Sequence, residues 1–388
     1  MNQSGSSKGS SPTHGGPYRV MIVDDSAVIR GLLTRYLEAD SLVAVVSSVS
    51  NGSLAVSALS RHDVDVVVLD IEMPVMDGLT ALPKLLEVKP SVQIVICSIL
   101  TRKNAEVSLR ALRNGAADYV TKPRTGSELS SAAEFQRELI EKVKALGAAA
   151  RGNKKASLPD IGKAPVSDKA RRVPLKGTLF PKQASEIVLR QAPIARPEVI
   201  AIGSSTGGPQ ALFEILRHFS GDTRPPILIT QHMPATFTTL LAEHIARVTG
   251  QPCSEAKDGE PVLAGRIYIA PGNFHMTVEK SGSGAVIRVT QEEPENFCRP
   301  SVDPMLRSMA EVYGSRLLVL ILTGMGSDGQ RGAEVVTQSG GSIIAQDEAS
   351  SVVWGMPGSV ATRGLCSAVL PLNEMGSYVH NLIMRSAA

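Results

Sequence analysis

Short apolar runs alternate with amphipathic stretches over residues 18–146 and again from residue 198, and this alternation constrains the fold of the 388-residue chain most. The runs are too short for buried helices but long enough for strands covered on both faces, while the amphipathic stretches suit covering helices. In the first half, Tyr18–Val23, Leu42–Ser47, Val64–Leu69, Gln93–Cys97 and Asp118–Val120 read as strands. Ala27–Ala39, Gly52–Ser60, Asp77–Val88, Asn104–Asn114 and Glu128–Leu146 read as helices. Units of this kind predict a (βα)5 domain with a parallel sheet. In the second half, Glu198–Ile202, Ile227–Thr230, Leu317–Leu322 and Ser342–Ala345 read as strands, and Pro209–Phe219, Phe237–Thr249 and Arg331–Ser339 as helices. Gly250–Thr290 looks β-rich, with turn signals at Asp258-Gly259 and Pro271-Gly272-Asn273. The expectation is α/β twice over, the C-terminal domain being doubly wound with an antiparallel insertion.

Charge separates the two halves. Gly147–Pro197 holds eleven Lys/Arg against Asp160, Asp168 and Glu186, so this segment carries +8 where the whole chain carries +3. With six prolines and little apolar periodicity, it reads as a linker over 147–197. Residues 1–17 read as a disordered tail with no apolar stretch of the secretory type. The expected domains are thus 18–146 and 198–388. Apolar runs such as Leu317–Leu322 fall far short of the ~20 residues that span a bilayer, so no membrane insertion is expected. Cys97, Cys253, Cys298 and Cys366 are scattered without a CxxC pair, which suits a reducing cytoplasm. Aromatics are only 4%, which argues against binding single-stranded nucleic acid by stacking.

In the first domain, Asp24 and Asp25 follow the strand RVMIV, and Asp70 ends DVVVLD. Ligands of parallel α/β sheets gather at the carboxyl ends of strands. Three carboxylates there repel one another unless a cation intervenes, and a small all-oxygen set suits Mg²⁺. Ser98 follows QIVIC and Lys122 follows DYVT on the same rim. A hydroxyl and an ammonium facing a metal-bound carboxylate suit an aspartyl phosphate, with the carboxylate as nucleophile. Pro123 is a candidate cis bond aiming Lys122. Singly, Asp24-Asp25 reads as a helix cap and Lys122 as a surface lysine; the full set at strand ends points to chemistry.

MIVDDS, VVVLDIEMPVMDG, CSILT and DYVTKP resemble the receiver domain of two-component response regulators over about 18–141. The resemblance implies Asp70 as phosphoacceptor, Asp24 and Asp25 as Mg²⁺ supports, Ser98 and Lys122 as phosphoryl sensors, and Tyr119 as the aromatic that changes rotamer on activation. Strand-edge packing is the alternative for Tyr119. The implied phosphodonor is a histidine kinase.

In the second domain, the strand Glu198–Ile202 runs into Gly203-Ser204-Ser205-Thr206-Gly207-Gly208-Pro209. Pro209 suits a first helical turn, and the stretch fits G-x-S-x-G, the pattern of a serine in a strand-to-helix turn. A helix-capping Gly/Ser loop is the alternative; a dinucleotide loop is disfavoured because residue 205 is not glycine. His232 ends ILITQ and Asp328 follows LLVLI within LTGMGSDG, so all three polar residues fall beyond strand ends. Ser205 as nucleophile, His232 as base and Asp328 as its partner form one triad. Ser205, Asp303 and His380 form another in the α/β-hydrolase order.

GSSTGGP, TQHMPATFT, IYIAPGNFH, RPSVDPM and LTGMGSDG resemble the catalytic domain of chemotaxis protein-glutamate methylesterases over roughly 198–385. The resemblance implies Ser205, His232 and Asp328 as the catalytic set, a backbone oxyanion donor at Met325, and Thr206 and His275 lining the site. Ser204 stands where alanine is common in that family, and Ser327 where asparagine is. It further implies a phosphorylation-activated cytoplasmic esterase acting on methyl-accepting chemotaxis receptors, which also deamidates glutamines, with no cofactor for hydrolysis. Two rivals remain: a transcriptional regulator, though no helix-turn-helix pattern is visible, and a catalytically silent adaptor.

Overall fold

The structure is a computed structural model that describes residues 16–99, 101–122, 129–156, 187–191, 196–219 and 225–384. Most of the expected tail, Pro123, and residues 157–186 and 192–195 of the expected linker lie outside the described residues.

The N-terminal domain runs β1 (Tyr18–Val23), α1 (Ala27–Leu37), β2 (Val43–Val49), α2 (Gly52–Leu59), β3 (Val66–Leu69), α3 (Gly78–Val88), β4 (Gln93–Ile99), α4 (Arg102–Arg113), β5 (Asp118–Lys122) and α5 (Leu129–Ala156). Its strands form one parallel sheet in the order β2-β1-β3-β4-β5. Val20–Val23, Val66–Leu69 and Ile94–Cys97 are buried on both faces, as uninterrupted apolar strands require. Short polar caps start the helices: Asn51 accepts from Leu54 N at 3.0 Å and Asp77 from Thr80 N at 2.7 Å.

Helix α5 runs ten residues past its expected end at Leu146. Ala148–Ala150 are strong helix formers, Ala150 is buried, and Arg151 pairs with Asp65 at 2.8 Å. Those contacts override the polar composition of the segment. Farther along, Ile187 packs on the second domain and Arg190 N donates to Cys366 O at 2.8 Å.

The C-terminal domain runs β6 (Val199–Ser204), α6 (Gly208–Leu216), β7 (Ile227–Gln231), α7 (Ala235–Thr249), β8 (Cys253–Glu255), β9 (Ile267–Ile269), β10 (His275–Ser281), β11 (Gly284–Thr290), α8 (Val302–Tyr313), β12 (Leu317–Ile321), α9 (Gln330–Gln338), β13 (Ser342–Gln346), α10 (Gly355–Ala361), β14 (Ala368–Leu370) and α11 (Leu372–Met384). Seven parallel strands line up as β14-β13-β12-β6-β7-β9-β8, and β10 and β11 form the antiparallel insertion. From the central β6 the chain builds outward on one side through β7 and later on the other through β12. That reversal opens a crevice at the carboxyl ends of β7, β6 and β12.

The two domains touch at that crevice. Tyr119 of β5 stacks on Phe237 of α7, with ring centroids 4.1 Å apart and planes 12° from parallel. Asp118 accepts from Thr206 Oγ1 at 2.5 Å, and Ala116 O accepts from Gln210 Nε2. Among the described residues, no helix is long and apolar enough to cross a membrane.

Phe237 is almost wholly buried, so Phe237→Ala is expected to destabilise the protein by about 3–5 kcal/mol, read by denaturant unfolding. A loss below about 1 kcal/mol would mean that the stack with Tyr119 carries little of the packing.

Candidate active site

Ser205 sits where β6 ends and α6 begins. Gly207 caps α6 at φ 77°, a left-handed conformation that costs glycine little, and Pro209 occupies the first turn. Ser205 N donates to Thr323 O at 3.1 Å, fixing the turn against the end of β12. A Cβ built on Gly324 would lie 2.9 Å from Ser205 Cβ, so the LTGMG turn lies directly against the serine only because residue 324 has no side chain. The next amide, Met325 N–H, makes no hydrogen bond among the described residues.

His232 follows β7, whose last residue, Gln231, is in register with Ser204. His232 N donates to Ser204 O at 3.1 Å. Gln231 clamps the corner: Nε2 donates to Ser205 O at 2.9 Å, and Oε1 accepts from Ser204 Oγ at 2.6 Å. The hydroxyl of Ser204 is therefore hydrogen-bonded within the corner.

Asp328 and His232 meet at 2.7 Å through Oδ2 and Nε2. Asp328 also accepts from Val302 N at 2.7 Å, Ser301 Oγ at 2.8 Å, Asp303 N at 3.1 Å, Gly329 N at 2.8 Å and Asn296 Nδ2 at 2.8 Å. Burial alone would raise this carboxyl. The bonds from His232, Val302 and Ser301 outweigh it and hold the carboxyl down at about 2. His232 is pushed up to about 10: burial opposes its charged form, but Cys298 and Asp328 together favour it more. The sulfur of Cys298 lies 3.4 Å from His232 Nδ1. Ser205 Oγ makes no hydrogen bond to His232 among the described residues; the two positions are tied through the backbone, by His232 N to Ser204 O and by Gln231 Nε2 to Ser205 O.

Other expectations fare differently. Thr206 borders the serine, but its hydroxyl turns away to Asp118. His275 is buried, with Nδ1 accepting from Ser301 N at 3.2 Å and Nε2 3.1 Å from Glu293 O. Both nitrogens are committed to backbone, so His275 braces the Asp328 loop instead of facing the crevice. The alternative set with Asp303 and His380 does not assemble, because Asp303 lies beside Asp328 while His380 is exposed on α11. Sequence reasoning missed the roles of Gln231, Asn296, Ser301 and Cys298, although Gln231 lies within TQHMPATFT and Ser301 within RPSVDPM.

In the first domain, ligand oxygens of Asp24, Asp25 and Asp70 all lie within 4.8 Å of one another. Lys122 Nζ reaches Asp24 at 2.6 Å and Asp70 at 2.9 Å. Burial raises the Asp70 carboxyl, Lys122 opposes that, and Asp24 adds to it. An all-oxygen cluster whose members repel fits Mg²⁺. Ser98 lies at the end of β4, its hydroxyl 3.2 Å from that of Ser108 on α4. Tyr119 is packed inward against Phe237.

Residues 200–379 match the family described as CheB methylesterase, and residues 20–134 match the response regulator receiver domain. The chain is 56% identical to a "Protein-glutamate methylesterase/protein-glutamine glutaminase of group 2 operon" from Rhodospirillum centenum, covering 100% of both chains. It belongs to the CheB methylesterase family. An Azospirillum brasilense relative named protein-glutamate methylesterase/protein-glutamine glutaminase is also 56% identical, over 96% of this chain and 94% of its own. The Thermotoga maritima CheB methylesterase catalytic domain is similar at 38% identity and TM-score 0.47, covering 48% of this chain and 100% of its own. Membership replaces the DNA-binding reading of the second domain with that of a CheB methylesterase domain.

A carboxyl held at about 2 when folded, against about 3.9 when unfolded, adds stability that is fully present above pH ~4. That stability is lost as the pH falls through about 2. Asp328→Asn is expected to lose about 2 kcal/mol at neutral pH and to flatten the fall in stability between pH 4 and 2. Acid unfolding followed by circular dichroism checks it; superimposable pH curves would contradict the account of Asp328.

Proposed function

We propose that the chain is a receiver-controlled protein-glutamate methylesterase that also deamidates glutamines. It would act in the cytoplasm on methyl-accepting chemotaxis receptors, with a histidine kinase as phosphodonor. The observation that carries this reading is the His232–Asp328 hydrogen bond beside the strand end that Ser205 follows, in a chain related over its whole length to proteins of that name.

In this mechanism, Ser205 Oγ attacks the γ-carbonyl carbon of a glutamyl methyl ester. Asp328 occupies Nε2 of His232, so Nδ1 takes the serine proton. The Met325 amide, adjacent to Ser205, donates to the developing oxyanion; one such donor is typically worth roughly 10²–10³ in turnover. His232 returns the proton to the departing oxygen, and methanol leaves. Water then gives a proton to His232 and its hydroxyl to the acyl carbon; His232 passes that proton to Ser205 Oγ as the acyl bond breaks, restoring the serine and leaving glutamate. With glutamine as substrate the same steps release ammonia.

Control rests on the contacts at the crevice. The receiver lies against the turn that holds Ser205, through Thr206 on Asp118 and Phe237 on Tyr119. Asp24, Asp25 and Asp70 would hold Mg²⁺, which supplies charge neutralisation for a phosphoryl group on Asp70. Lys122 leaves its present partner Asp70 to meet that group, and β5 carries the change toward Asp118.

Methanol release from a methylated receptor tests the whole reading. Wild type is expected to accelerate with acetyl phosphate, Asp70→Asn to stay at the basal rate, and Ser205→Ala to release none. Asp118→Ala is expected to raise the basal rate by loosening the receiver from Thr206. Equal acceleration of wild type and Asp70→Asn would sink the switch, and undiminished release by Ser205→Ala would sink the esterase assignment.

A further inference from the structure

The turn Glu295–Cys298 crosses the catalytic edge and touches both domains. Its ends exchange backbone hydrogen bonds of 3.2 and 2.9 Å. Asn296 and Phe297 between them sit at φ 54° and 62°, a left-handed region that side chains other than glycine seldom adopt. Two parallel bonds of 2.8 and 2.6 Å tie Glu295 to Arg307 on α8. Asn296 Nδ2 donates to Asp303 at 2.9 Å and to Asp328 at 2.8 Å. The Phe297 ring lies under the receiver's Arg137, with the guanidinium carbon 4.8 Å from the ring centroid. Cys298, held at the end of this braced turn, meets His232 Nδ1.

An imidazole has two nitrogens. Asp328 occupies one, so the other must serve Ser205, and in this structure it faces a thiol instead. A thiol and an imidazole share one proton: either S–H donates to Nδ1, or N–H donates to a thiolate. In both arrangements Nδ1 lacks a free lone pair for the serine proton.

We infer that Cys298 is a positioning residue for the esterase: its sulfur holds His232 in a resting hydrogen bond that Ser205 must displace. The receiver steadies the turn that delivers the sulfur, through Arg137 on Phe297. Inhibition by the receiver is then chemical as well as steric, since it keeps the base engaged elsewhere. The inference rests on the reading of Ser205, His232 and Asp328 as the catalytic set. The titratable groups facing His232 are Cys298 and Asp328, with Asp303, Glu295 and Arg307 behind Asp328.

The test uses the full chain as wild type, Cys298→Ala, Cys298→Ser and His232→Ala, each checked for an unchanged melting temperature. Two quantities are measured against pH: methanol release with and without acetyl phosphate, and alkylation of residue 298 by iodoacetamide, followed by mass spectrometry. Cys298→Ala is expected to raise unphosphorylated kcat/KM by about two- to ten-fold, the worth of one net hydrogen bond. Its acid limb moves to lower pH, because the sulfur favours the protonated imidazole. Cys298→Ser restores the wild-type rate by keeping a donor in place, and acetyl phosphate shrinks the gain. Alkylation of residue 298 is expected to differ between wild type and His232→Ala, because only the wild type holds the sulfur against an imidazole.

Identical rates and pH profiles for Cys298→Ala and wild type would overturn the inference. So would equal losses in the alanine and serine variants with no movement of the acid limb, which is the outcome of a packing role. If wild type releases no methanol even with acetyl phosphate, the esterase reading fails instead. The alkylation profiles then decide the sulfur–imidazole contact on their own, and matching profiles in wild type and His232→Ala overturn it.

Discussion

One buried carboxylate organises the catalytic edge. Asp328 accepts from four backbone or side-chain donors in the segment 296–303, from Gly329 beside it, and from His232 across the crevice. A carboxylate removed from water is costly unless such donors replace its hydration. The requirement works in both directions. The negative charge draws the start of α8, the 295–298 turn and the β7 corner together, and those elements fix where the imidazole stands. His275 extends the same arrangement outward, since its Nδ1 accepts from Ser301 N and Ser301 Oγ donates to Asp328.

Much of this was legible in the sequence because strand ends are. An apolar run that stops abruptly at a polar residue marks the carboxyl end of a buried strand, and Asp70, Ser205 and His232 all announce themselves that way. Parallel α/β topology then brings such residues to one rim without further information. What stayed hidden depends on which side chains meet after packing. Cys298 and Asn296 lie in a loop with no periodicity, and their distances to His232 and Asp328 follow from the three-dimensional path of the turn. His275 was read from its motif as facing the site, yet its nitrogens serve backbone groups that no local pattern reveals. The length of α5 was masked by composition, because Arg151, within its extension, finds its partner Asp65 just ahead of β3, far away in the sequence.

The interface between domains shows the same limit. Thr206, Asp118, Tyr119 and Phe237 each have an ordinary local explanation, and only the folded chain makes them one surface. Asp118 is further held by Lys142 at 3.3 Å, and that lysine also donates to Tyr119 O at 2.7 Å and lies 5.1 Å from the Tyr119 ring centroid. Burial would lower the Lys142 ammonium, but Asp118 and Glu138 more than compensate and keep it charged. The aromatic contact therefore sits within a paired and satisfied polar frame, which resists sliding better than an apolar patch alone.

The geometry of β5 gives this frame its reach. The strand spans only Asp118–Lys122, roughly 13 Å at 3.3 Å per residue. Lys122 at one end holds Asp24 and Asp70, while Asp118 at the other holds the hydroxyl next to Ser205. Tyr119 lies between, pressed on Phe237. A hydrogen-bonded strand cannot stretch to absorb a displacement at one end, because its register with β4 fixes each residue. A shift of the Lys122 backbone toward a new negative group would have to be taken up by movement of the strand as a unit, and its other end carries the Thr206 contact. The acidic cluster and the residue beside the serine thus sit at the two ends of one strand.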